Sequence, residues 1–183
     1  MTARHPQEGT LSLPPRPGPG QQQCGDFGIR IGRDGTWYYL GSPIGRKPLV
    51  RLFASVLRRE ADGQYWLVTP VERGRIEVED VPFVAVEVTA EGEGPERVLR
   101  FRTNLDDEVA ADRDHPLRVS HNPATGEPAP YIMVRDGLEA RLARPVFYEL
   151  VALGETRLVD GEEQLGVWSS GQFFPLGRIE TEH

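Results

Sequence analysis

Residues 41–53, GSPIGRKPLVRLF, place two glycines ahead of two cations and a proline, the ingredients of an anion-binding loop. The nucleoside-triphosphate pattern G-x-x-x-x-G-K-[ST] is not met. Gly41 and Gly45 are too close, Arg46 stands at the lysine position, and no Ser or Thr follows. A weaker reading survives. Cations at a helix start oppose the positive end of the helix dipole, yet Arg46 and Lys47 precede Pro48 there. Residues 46–59 carry Arg46, Lys47, Arg51, Arg58 and Arg59 and no acid. Arg58 and Arg59 suit a helix C-terminus, whereas Arg46 and Lys47 would be explained by a nearby anion held by backbone N–H groups. The competing reading is structural, since Arg144 precedes Pro145 just as Lys47 precedes Pro48.

Other chemistry is thinner. Asp106, Asp107, Glu108, Asp112, Asp114 and His115 lack the calcium-loop and H-E-x-x-H patterns and read as a solvated loop. Glu77 and Glu79 share a strand face about 7 Å apart, a spacing open to acid–base work but also to a plain solvent face balanced by Arg73 and Arg75. GVWSSG is not a nucleophile elbow, and Cys24 sits beside a Pro/Gly-rich tail. Trp37 and Tyr39 fall on one face of a strand, available to stack a base or to fill a core. The expectation is no catalytic residue, no metal and no cofactor.

The elements that position these groups follow from periodicity. FGIRI and TWYYL flank Asp34-Gly35, a hairpin signal. Leu49, Leu52, Phe53, Val56 and Leu57 mark one face of a helix from Pro48 to near Arg59. QYWLVTP, RIEVE and VLRFRT read as strands, FVAVEV as a central one, and LRVSH with PYIMV as a second hairpin. The later chain echoes the earlier. Arg33-Asp34-Gly35 recurs as Arg135-Asp136-Gly137, Pro48 as Pro145 and Trp66 as Trp168. This predicts an internal duplication, hairpin then short helix then strands, twice over.

Composition sets the class. Lysine plus arginine total 21 against 28 acids, a net charge of −7, which disfavours wholesale binding of DNA, RNA or an anionic membrane. The single cysteine allows no internal disulfide, no apolar run reaches about 18 residues, and the N-terminus lacks a signal-peptide core. The expectation is a soluble, cytoplasmic protein.

The segments DGTWYYLGSPIGRKPLVRLFASVLRR, YWLVTPVERGRIEVEDVPFVAVEV, FRTNLDDEV, HPLRV and ARPVFYELVALGE together resemble the bacterial "domain of unknown function 1285" family, from Asp26 to Gly177. The resemblance implies a duplicated α+β fold whose second module is superficially pleckstrin-homology-like. It also implies a site for a nucleotide-like ligand between the modules and a role in signalling, with no catalytic residues to carry over. The combined expectation is a disordered tail (1–24) and two β-rich modules (25–105 and 106–183), each with a sheet and one short helix. Arg46, Lys47 and Arg51 would meet the phosphate of a small anionic ligand and Trp37 or Tyr39 its base. A protein-interaction module meeting a protein partner is the alternative, and a hydrolase built on Glu77 and Glu79 the third.

Overall fold

A computed structural model describes residues 22–179. The expected tail therefore lies outside the described residues, apart from 22–24, which open the first strand.

The first module contains β1 (Gln22–Ile31), β2 (Trp37–Tyr39), β3 (Ser42–Pro43), α1 (Lys47–Ser55), β4 (Leu57–Arg59), β5 (Tyr65–Val68) and β6 (Glu72–Val78). Its sheet runs β3-β2-β1-β6-β5-β4, with β1 and β6 parallel and the other pairs antiparallel. The predicted turn closes β1 on β2. The Gly32 N–H donates to the Thr36 carbonyl, Asp34 Oδ1 accepts the Thr36 N–H, and Gly35 takes a left-handed φ of 83° that favours glycine. Those Thr36 hydrogen bonds hold the Asp34 carboxyl below its ordinary value.

The helix α1 begins as expected, with Pro48 as its second residue, but stops at Ser55. Residues 57–59, expected to complete it, form β4 instead. Leu57 pairs with Leu67 across the sheet and is fully buried there, a gain that another helical turn would forgo. The buried face of α1 is Val50 and Ala54, one turn apart, while Leu52 is 63% exposed.

The second module holds β7 (Phe83–Glu91), β8 (Val98–Thr103), β9 (Glu108–Ala110), β10 (Leu117–His121), β11 (Pro128–Arg135), β12 (Leu138–Leu142), α2 (Arg144–Ala152), β13 (Glu155–Val159), β14 (Glu162–Ser169) and β15 (Gln172–Arg178). One sheet runs β10-β11-β12-β7-β8-β9, and a second runs β13-β14-β15. β10 lies against β15, so the two continue as a curled half-barrel. The helix α2 buries Val146 and Leu150 and packs on β7 and β14. FVAVEV is central as expected, with β7 between β12 and β8. That placement moves the module boundary. The expected division after residue 105 would cut through a sheet, because Phe83–Ala85 pair with Ala140–Leu142 and β8 pairs with β7.

Both modules run hairpin, nine-residue helix, three antiparallel strands. Arg-Asp-Gly sits at each hairpin turn, proline is the second residue of each helix, and Trp66 and Trp168 lie on the middle strands β5 and β14. The second module adds β7, β8 and β9 beside its hairpin, and the two also differ in how the later strands rejoin it. In the first module β6 pairs directly with β1, whereas β10 stands between β11 and β15 in the second. The buried apolar side chains form one cluster that runs through both modules, from Ile29 and Leu57 to Val167 and Leu176.

Candidate ligand-binding cleft

The modules meet reciprocally. The Gly35 carbonyl in the first Arg-Asp-Gly turn accepts a hydrogen bond from Asn104 Nδ2 (3.4 Å), and Asn104 Oδ1 accepts the Val84 N–H (3.0 Å). The Gly137 carbonyl of the second turn accepts Arg59 Nη1 (3.3 Å), while Arg135 Nη2 donates to the Ala54 carbonyl (2.8 Å). Each turn thus docks on the opposite module, and beside each docking point a cleft opens between that turn and the opposite module's helix.

The cleft beside the second turn has a volume of about 640 Å³. Arg51, Leu52 and Ser55 of α1 and Arg58 of β4 form one wall, and Asp107, Arg135 and Asp136 form the other. Arg51 makes no hydrogen bond or ion pair among the described residues. Arg58 donates to the Leu57 carbonyl (2.8 Å) and Arg135 to that of Ala54, so none of the three guanidinium groups takes a carboxylate partner among the described residues. Three cations face Asp107 and Asp136, which leaves a small positive excess in an acidic protein. Each guanidinium presents five N–H donors in a planar fork that suits phosphate or carboxylate oxygens.

The sister cleft, about 580 Å³, lies between the first turn and α2 and is lined by Arg33, Asp34, Glu127, Arg141, Arg144 and Tyr148 among others. Tyr148 occupies the place in α2 that Arg51 occupies in α1, four residues beyond the helix's first position. Arg141 is engaged by Asp80 (3.3 Å), whose carboxylate also accepts the Tyr131 hydroxyl.

Of the residues expected at a site, the structure brings Arg51 alone into the first cleft. Lys47 pairs with Asp106 of the second module (2.8 Å), which also meets Arg102 (3.2 Å). The Lys47 hydrogen bond, more than any other favourable contact, holds the exposed Asp106 carboxyl below 3.8. A fold contact therefore accounts for that cation. Arg46 is exposed just ahead of α1 and does not line the cleft. Trp37 is 1% exposed and stacks on Phe53, with ring centroids 6.4 Å apart, so its face is closed to a base. Tyr39 is 53% exposed but lines a separate apolar groove.

The other candidates find structural employment. Glu79 pairs with Arg30 and accepts the Arg33 N–H (3.0 Å), which leaves it bracing the first turn, while Glu77 is exposed. Asp112 Oδ1 accepts the N–H groups of Asp114 and His115 and contacts His115 Nδ1 (2.9 Å), a self-contained turn. Among the described residues no group of His, Cys, Asp and Glu is arranged to hold a metal. Among the described residues no helix is long and apolar enough to cross a membrane.

Two cleft residues escape the sequence reading. The sequence pattern puts Arg58 at a helix terminus and Arg135 at the head of the repeated Arg-Asp-Gly turn, with no link between them. The recurrence of Arg-Asp-Gly was the available clue, but its docking on the other module's helix depends on tertiary structure.

Comparisons agree with this architecture. The N-terminal domain of DUF1285, a domain of unknown function, matches residues 18–81, and the C-terminal domain of the same family matches residues 82–176. The join falls where β6 gives way to β7. A crystal structure of a DUF1285 family protein from Silicibacter pomeroyi DSS-3 is 49% identical, with a TM-score of 0.80 over 89% of this chain and 88% of that one. A second, from Shewanella baltica OS155, is 28% identical with a TM-score of 0.53, over 68% of this chain and 91% of that one. No curated protein compared with the chain matches it. Sequence and fold together place the chain in the DUF1285 family, whose function is unknown.

Proposed function

We propose that this is a non-enzymatic, cytoplasmic regulatory protein that binds a small anionic, nucleotide-like ligand between its modules. One observation carries the reading: Arg51, Arg58 and Arg135, contributed by both modules, line one cleft without a carboxylate partner among the described residues. Its volume of about 640 Å³ suits a ligand of nucleotide size. Phosphate oxygens would be taken by the guanidinium forks, while Leu52 and Leu105 offer the apolar contact that Trp37 cannot. The curled second module, superficially pleckstrin-homology-like, supplies one wall. A ligand that grips both walls would tighten the joint between modules, the physical basis for a signalling role.

A thermal-shift series with nucleoside mono-, di- and triphosphates at millimolar concentration tests this. A ligand present at a hundred times its Kd adds about 2.7 kcal/mol of stability. The expected result is a rise in Tm that Arg51→Ala abolishes without lowering the ligand-free Tm. Absence of any shift across the series, or an equal shift in Arg51→Ala, counts against the cleft.

A second reading, a protein-interaction module, is favoured by the exposure of Leu52 (63%) and Tyr148 (62%) on the two helices. It predicts that a protein partner is lost on Tyr148→Asp while nucleotide stabilisation is unaffected.

A further inference from the structure

The cationic cleft holds two acids as well, Asp107 and Asp136. Neither carboxylate takes a hydrogen bond or an ion pair among the described residues, although three arginines line the same space. The Asp107 backbone is fixed while its side chain stays free. Its N–H donates to Thr103 Oγ1 (3.3 Å) and its carbonyl accepts the Thr103 N–H (2.8 Å).

The duplication shows how Asp136 comes to be free. In the first Arg-Asp-Gly turn, Asp34 Oδ1 accepts the Thr36 N–H (3.0 Å). In the second, Leu138 stands in the place of Thr36 and pairs with Arg135 across the hairpin, while Asp136 itself takes a left-handed φ of 47°. Asp136 therefore keeps the acceptor capacity that Asp34 spends on its own turn. The guanidinium groups are prepared in a different way. Arg58 and Arg135 each donate to a backbone carbonyl, and Arg135 also lies over the Phe83 ring at 5.6 Å. Both forks are held in place with N–H donors to spare.

Such a cleft calls for a ligand of two characters. Anionic oxygens suit the guanidinium forks, and N–H or O–H donors suit the carboxylates, which only accept. Pro48, Leu52 and Leu105 add apolar surface for the face of a flat ring. This step rests on the reading of the cleft as a nucleotide site, and it decides among the bases. Guanine carries two adjacent donors on its pairing edge, N1–H and the N2 amino group. Adenine sets the acceptor N1 beside its amino group, cytosine sets N3 beside its own, and uracil has one N–H between two carbonyls. On each of those three a carboxylate meets at least one repelling lone pair.

We propose that the cleft selects guanine nucleotides. One of the two carboxylates accepts N1–H and the N2 amino group together, and the other accepts the ribose hydroxyls.

Calorimetric titration of the full chain with GDP, ADP and inosine diphosphate tests this. GDP should bind at least about tenfold more tightly than ADP, which keeps the phosphate contacts alone, and inosine diphosphate, which lacks the N2 amino group, should fall between them. Asp107→Asn and Asp136→Asn are the matching variants, since asparagine tolerates the left-handed conformation at position 136. In one of them the preference for GDP should vanish with the ligand-free Tm unchanged. The same variant should gain affinity for xanthosine diphosphate, whose C2 carbonyl accepts the new amide N–H. Equal binding of GDP and ADP, with both lost in Arg51→Ala, overturns guanine selection while the nucleotide cleft stands. A preference for GDP that survives in both asparagine variants overturns the role given to the carboxylates. No binding of either nucleotide removes the cleft reading and this inference together.

Discussion

Arg73 shows how a charged residue is held inside this fold. It is 6% exposed, lies over the Trp66 ring at 4.3 Å and pairs with Glu60 (3.0 Å). Glu60 is its one carboxylate partner among the described residues, and a buried guanidinium that loses such a partner keeps its desolvation cost. Glu60→Ala should therefore destabilise the protein by about 1–3 kcal/mol in urea unfolding, and Glu60→Gln by less, because an amide oxygen still accepts the bond. Lys47 and Asp106 behave differently because both are exposed. With its carboxyl held below 3.8, Asp106 stabilises the fold above the unfolded pKa, and that contribution fades as pH falls through the lower folded value. In an NMR titration the Asp106 carboxyl should move up toward 3.8 in Lys47→Ala. Residue types alone indicated an unexplained cation at the start of α1, and Lys47 does have a carboxylate. The sequence could not show that this carboxylate belongs to the second module. Trp37 misled for a related reason: its neighbours Tyr38 and Tyr39 face outward, and only the stacking on Phe53 shows which side of the strand is core.

Elements were legible where their signals are local. Asp34-Gly35 closes β1 on β2, and the alternation of Leu99 and Phe101 with Arg100 and Arg102 gives β8 its buried and exposed faces. The helix end was not legible, because Leu57 serves a helical stripe and a β-pair equally well until Leu67 is placed beside it. The contacts that join elements offer sharper tests. Asn104 bridges Val84 to the Gly35 carbonyl, so Asn104→Ala should cost about 1–3 kcal/mol by leaving a part-buried N–H unpaired. Gly74 lies directly under Phe27, and a Cβ there would come within 2.3 Å of the ring. Gly74→Ala should lower Tm and displace Phe27 from the apolar groove, visible as shifted aromatic resonances of that ring.

At the scale of the whole molecule, the recurrence of Arg-Asp-Gly, helix and tryptophan strand is the feature that sequence displayed most clearly. Its consequence appears only in three dimensions, where each turn docks on the opposite module. One apolar cluster passes through both modules, so near-UV signals from Trp66 and Trp168 should report a single urea transition. Two transitions would mean that the modules unfold separately. Both clefts set three arginines against two acids, and they differ at the matching helix position, where α1 presents Arg51, without a carboxylate partner among the described residues, and α2 presents Tyr148. Backbone NMR of the full chain titrated with ADP tests that assignment most directly. Saturable shifts should gather at Arg51, Arg58, Arg135 and Asp136 and disappear in Arg51→Ala. A spectrum unmoved at millimolar ADP, or shifts gathered at Arg144 and Tyr148 instead, would contradict it.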